Sequence, residues 1–167
     1  MIGTVPKLGR NGQLMQPLGR NTTTKIVAVT GPPCAGKSTF IHERAQPGDL
    51  VVEFDRINMA LSPVGDHDHH DQVKPFVHAA QTAVLNRLKM ASDVERAWLS
   101  ALAPTNKQRR RYLINDDTRL LVLMIDPEIA HDRAGWAERP QAWHDLIDDW
   151  YATVEEPNDP RVELVHV

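Results

Sequence analysis

The sequence predicts an α/β domain in which helices cover both faces of a parallel sheet. Two patterns predict it: four short apolar runs dense in branched aliphatic residues, and helical segments standing between them. A third observation bounds it, because 167 residues fit one domain with a core large enough to need no staple.

Residues 1–24 are rich in Gly, Pro, Asn and Thr, hold Lys7, Arg10 and Arg20, and contain no acidic residue. Without apolar periodicity they are expected to form an extended or frayed arm. Residues 25–30 (Lys-Ile-Val-Ala-Val-Thr) read as a strand buried on both faces, and residues 37–45 as the helix that follows it. Residues 50–54 read as a second strand. Residues 75–91 read as a helix with Val77, Ala80, Val84 and Leu88 on one stripe. A third strand is expected over 94–101, a short helix over 106–114, and a fourth strand over 120–125. Residues 127–136 continue as a helix. The last helix, 141–154, carries Trp143, Leu146, Ile147, Trp150 and Tyr151 at offsets 0, 3, 4, 7 and 8, the spacing of a docked amphipathic face. The domain is therefore expected to span 25–156, with 157–167 a tail that adds an extended segment.

A net charge of −3 and a pI near 6.2 argue against a globally basic nucleic-acid binder but leave room for a local basic patch. Cys34 is the single cysteine, so no intrachain disulfide forms and nothing suggests a secreted scaffold. No apolar run approaches the roughly 20 residues of a membrane span. The first residues lack the apolar core of a signal peptide. A soluble cytoplasmic protein is expected.

Directly after the first strand comes Gly31-Pro-Pro-Cys-Ala-Gly36-Lys37-Ser38, then Thr39. This is the Walker A pattern, with a strand before it and a helix after it. Its physical logic is specific. Glycines let successive amide N–H groups turn inward as an anion nest, Lys37 brings charge to the β- and γ-phosphates, and the Ser38 hydroxyl ligates Mg²⁺. Pro33, Cys34 and Ala35 complete the loop around Gly36, so nucleotide triphosphate binding is the strongest expectation, and the fold is that of a P-loop NTPase. Cys34 itself reads as a small filler.

Asp55 and Arg56 follow the second strand, where ligand contacts gather at the carboxyl ends of strands. Asp55 is either a base in the site or an N-cap of a helix over 56–60. Lys107, Arg109, Arg110 and Arg111 place four cations within five residues. They read either as charge aimed at a migrating phosphoryl group, with Arg109 or Arg110 facing it, or as a solvated basic face. Arg133 and Arg139 form a second basic group, and Arg133 could equally pair on the surface with Asp126 or Asp132. The segment from Asp66 to Asp71 holds His67, His69 and His70 among three aspartates. It reads as acceptor recognition by His67 and His69, as a metal site short of ligands, or as a solvated loop. The acidic run Asp145, Asp148, Asp149, Glu155 and Glu156 reads as a solvated helix face.

These motifs together, with Asp126-Pro127 and Arg139-Pro140, resemble the small P-loop kinases, in particular phage-type kinases of the polynucleotide kinase superfamily. The resemblance covers about residues 25–155. It implies ATP and Mg²⁺, transfer to a nucleic-acid or nucleotide hydroxyl (a DNA 5′-hydroxyl or 5-hydroxymethyluracil in DNA), and Asp55 as general base with Arg56 holding the acceptor. It also implies Arg109 or Arg110 on a lid, and an arginine of the Arg133 and Arg139 group packed near the adenine or completing the lid. The third strand ends without the acidic residue of a Walker B motif. A small-metabolite kinase and a non-catalytic nucleotide switch therefore stand as alternatives.

Overall fold

The computed structural model describes residues 23–63, 65 and 68–167. Its core is a five-stranded sheet: β1 (Lys25–Thr30), β2 (Leu50–Val52), β3 (Arg96–Ala101), β4 (Arg119–Met124) and β5 (Val162–His166). The order across the sheet is β2-β3-β1-β4-β5, and every neighbouring pair is parallel. The helices are α1 (Lys37–His42), α2 (Phe54–Leu61), α3 (Lys74–Leu88), α4 (Asn106–Arg109), α5 (Pro127–Trp136) and α6 (Gln141–Thr153).

Side chains alternate across each strand, so one strand feeds two cores. Ile26, Ala28, Ala97, Leu99, Leu120 and Val122 point to one face, where α3 adds Leu85 and Leu88. Val29, Trp98 and Leu123 point to the other, against Ile41 of α1 and Ala130 and Ala134 of α5. Helix α6 supplies both layers, Trp150 to the first and Ile147 to the second. Each fully buried branched side chain contributes about 1.5–3 kcal/mol by leaving water. Both faces are covered, which is why the strands read as nearly unbroken apolar runs.

Two elements depart from the expected ones. The second strand stops at Val52; Glu53 takes the N-cap position and Phe54 opens α2 instead of ending the strand. A short apolar run does not distinguish strand from buried helix, and packing against α3 decided this one. The extended segment expected in the tail forms, as Val162 to His166 pair with Leu120 to Met124 in the edge strand β5. The expected helix over 106–114 is a single turn, α4.

Neighbouring strands β1 and β3 send their outgoing connections in opposite directions, β1 toward the β2 edge and β3 toward β4. A crevice opens at their carboxyl ends, the position where sheets of this kind bind ligands. Among the described residues no helix is long and apolar enough to cross a membrane.

Candidate active site

The chain leaves β1 at Gly31 with φ +149°, and a Cβ there would stand 2.6 Å from the Leu123 carbonyl oxygen on β4. A side chain is excluded by contact as well as by conformation. Farther along the loop, Cys34 (φ 61°) and Gly36 (φ 85°) are left-handed while Ala35 between them is not. Alternation of this kind curls backbone N–H groups into an anion nest. Lys37, opening α1, donates from Nζ to the Gly31 carbonyl at 3.1 Å and the Pro32 carbonyl at 2.6 Å, which lays its ammonium along the loop. Burial pulls its pKa down to about 8, against the opposing charges of Cys34 and Asp55. Burial also raises the Cys34 thiol, offset in part by Arg139, Lys37 and Arg133. Cys34 is thus held toward its neutral form, in keeping with a filler role.

The loop forms one wall of a cleft of about 1220 Å³. Ser38 and Thr39 open onto it from α1, and Arg133 lines it from α5 while donating from Nη1 to the Cys34 carbonyl at 3.1 Å. Among the described residues Arg133 makes no ion pair with Asp126 or Asp132; Asp126 instead caps α5, accepting from the Glu128 amide at 2.8 Å. Arg139 stacks over the Trp143 ring at 4.8 Å, and both residues line the same side of the cleft.

Opposite the loop, Asp55 projects from the first turn of α2 with His69 Nε2 2.7 Å from its Oδ1. The N-cap of this helix is Glu53, so Asp55 is not the cap. Glu53 is itself buried, with His42 Nε2 at 2.8 Å and Arg56 Nε at 3.3 Å from its Oε2. That pairing draws Arg56 to Glu53, and Arg56 does not line the cleft beside Asp55. His67 lies outside the described residues. Among the described residues no three His, Cys, Asp or Glu side chains group as a metal site.

The lid arginines divide in a way the sequence did not suggest. Arg109 turns inward: 1% exposed, it donates from Nε to the Ala103 carbonyl at 3.2 Å and from Nη1 to the Glu155 carbonyl at 2.7 Å. It braces α4 against the segment after α6, which leaves it no reach to the cleft. Arg110 is exposed and also off the cleft wall. Arg111 and Tyr112 line it instead. Arg111 lies past the end of α4, in the turn closed by its amide donating to the Gln108 carbonyl at 3.1 Å, and so is not bound to the inward direction of Arg109.

Solved structures share this architecture. A gluconokinase from Sinorhizobium meliloti 1021 aligns with a TM-score of 0.58 at 19% identity, over 89% of this chain and 85% of that one. Shikimate kinase from Acinetobacter baumannii in complex with shikimate aligns at 0.52 and 16%, over 83% and 87%. Thymidylate kinase from Candida albicans aligns at 0.50 and 14%, over 86% and 85%. The chain has the P-loop NTPase fold that these proteins share. No protein-family model matches the sequence, and no curated protein does.

Within this P-loop NTPase fold, the cleft also draws on residues that sequence reasoning passed over. Lys74, His78 and Gln81 of α3 line it, at i, i+4 and i+7 alongside the apolar residues that pack into the core. That polar stripe was the available signal. For the arginines the signal was Thr105-x-x-Gln108, a capping box in which Thr105 Oγ1 accepts from the Gln108 amide at 3.3 Å and Gln108 Oε1 accepts from the Thr105 amide at 3.1 Å.

Proposed function

We propose that this protein is a phosphotransferase that moves the γ-phosphoryl group of ATP to an acceptor hydroxyl. The observation that carries this reading is the meeting, across one cleft, of the Lys37 nest with the Asp55 carboxylate. The loop from Gly31 to Thr39 holds the phosphates, and Arg133 supports it through the Cys34 carbonyl. The Ser38 hydroxyl opens onto the phosphate side, so the donor set there fits Mg²⁺; when bound, that ion would neutralise charge on the β- and γ-phosphate oxygens. Asp55 receives the acceptor proton. Arg111, in place of Arg109 or Arg110, faces the negative charge that builds on the migrating group.

Lys74 on this side of the cleft is paired with Asp71 Oδ1 at 2.8 Å, so it is Arg111 that favours an acceptor carrying an anion of its own. A nucleotide or nucleic-acid hydroxyl meets that description. So does an acidic small metabolite, and the gluconokinase and shikimate kinase likenesses favour that second reading.

The test is γ-labelled ATP against a panel of 5′-hydroxyl DNA and RNA, 5-hydroxymethyluracil DNA, nucleosides, nucleotides, sugars and sugar acids, with Lys37→Ala as the blank. Label on one acceptor class establishes the transfer and names the class. Label released only as phosphate moves the reading to a nucleotide switch. A steep loss of activity with salt marks a polyanionic acceptor, since each phosphate contact adds to the slope.

A further inference from the structure

Glu53 follows β2, takes the N-cap position of α2 and is 5% exposed, yet it does not line the cleft. Its carboxylate joins two helices. From α1, which opens with Lys37 and Ser38, the last residue His42 brings Nε2 to 2.8 Å from Glu53 Oε2 in a hydrogen bond. A carboxylate has no proton to give, so the imidazole is the donor. From α2, Arg56 brings Nε to 3.3 Å from the same oxygen. Asp55 lies between Glu53 and Arg56, so the turn that carries it is fastened on both sides and tied to the helix that follows the phosphate loop.

This arrangement does little for stability. Glu53 Oε1 is buried without a hydrogen-bond partner, and the carboxylate is taken out of water. Its partners gain little in return, because the His42 and Arg56 side chains are 41% and 58% exposed and reach solvent without it. What the carboxylate supplies is geometry. Helix α1 follows from the loop that holds the phosphates, α2 carries the group that receives the proton, and Glu53 holds one to the other. We infer that Glu53 is a positioning residue, which with His42 fixes the first turn of α2 and so the place of the Asp55 carboxylate relative to the phosphate loop. The inference rests on the phosphotransferase reading. In that step the hydroxyl proton passes to Asp55, while Glu53 and His42 touch no reacting atom and exchange no proton with the acceptor.

The experiment compares Glu53→Leu, His42→Ala and His42→Gln with the wild type, using the acceptor found on the panel. Glu53→Leu exchanges a buried charge for an apolar side chain of similar size, a change that is often neutral or stabilising. The Gln side chain reaches far enough to place an N–H where the imidazole Nε2 stands, and Ala places none. Misplacing a base by about an ångström is enough to lower turnover up to about 100-fold. Glu53→Leu and His42→Ala are therefore expected to lower kcat about 10- to 100-fold with the KM for ATP within about twofold, and His42→Gln to recover most of the loss. Wild-type kcat in Glu53→Leu or His42→Ala, or no recovery in His42→Gln, overturns the proposal. Hydrogen exchange tests the fastening without any acceptor. The Ile57 amide donates to the Glu53 carbonyl at 3.2 Å in the first turn of α2. It is expected to exchange about fivefold faster in Glu53→Leu, the effect of losing one net hydrogen bond. An unchanged exchange rate overturns the proposal. Absence of transfer by the wild type, with exchange responding as expected, overturns the phosphotransferase reading and leaves the fastening intact.

Discussion

Arg109 Nη1 donates to the Glu155 carbonyl at 2.7 Å, tying the one-turn helix α4 to the backbone that leaves α6. The neighbouring Glu155 carboxylate accepts from the Asn106 amide at 2.8 Å, so the same junction is fastened twice. Replacing Arg109 by Ala strands the carbonyl of buried Ala103 and removes the bond to the partly buried Glu155 carbonyl. A loss of about 2–4 kcal/mol in urea unfolding is expected, with turnover per folded molecule close to wild type. Turnover falling with stability unchanged would return Arg109 to the chemistry.

Arg111 and Arg110 should behave in the opposite sense. Arg111→Ala is expected to lower kcat about 100-fold or more, because a guanidinium facing the transferring phosphoryl acts mainly in the transition state. Arg110→Ala, at an exposed position off the cleft, should stay within about twofold. Neither should move stability by more than about 0.5 kcal/mol, and side-by-side kinetics and melting curves decide it.

Two positions in the phosphate loop separate contact from conformation. Gly31→Ala drives a Cβ to 2.6 Å from the Leu123 carbonyl, so loss of both nucleotide binding and thermal stability is expected. Cys34→Gly removes the Cβ from a residue at φ 61° and should leave ATP affinity within about threefold while relieving about 1 kcal/mol of local strain. Calorimetric titration with ATP reads both.

The depressed pKa of Lys37, about 8, sets a pH dependence for nucleotide binding. Below that value the ammonium is already charged when phosphate arrives. Above it, binding must first take up a proton, and phosphate then holds that proton. Affinity for ATP should thus be level below pH 8 and fall about tenfold per unit above it, until the pKa of the bound state is reached. Calorimetry in buffers of different ionisation enthalpy should show proton uptake at pH 9 and none at pH 7. Lys37→Ala should flatten the dependence.

Legibility in the sequence followed the range of the interaction. Strand β1 and helix α5 have the bounds the pattern predicts, because a run of branched aliphatic residues, or an Asp-Pro start, carries its own local signal. The phosphate loop is legible for the same reason, since its function lies in the backbone of consecutive residues. Helix α2 was not, because Phe54 fits equally the end of an apolar strand and the start of a helix. Strand β5 was legible only as an extended segment, because Val162 to His166 become a strand by pairing with β4.

From the sequence alone came the parallel α/β architecture, the nest between Gly31 and Thr39, and Asp55 at a strand's carboxyl end. These rest on residues close together in the chain, where spacing translates directly into geometry. The tertiary structure decided which arginine of three turns inward, that His69 meets Asp55, and that Lys74 and His78 share their cleft. Each of these depends on how separate elements pack. Rotating a helix by one residue exchanges a buried side chain for an exposed one, and that rotation is set by the surfaces packed against it.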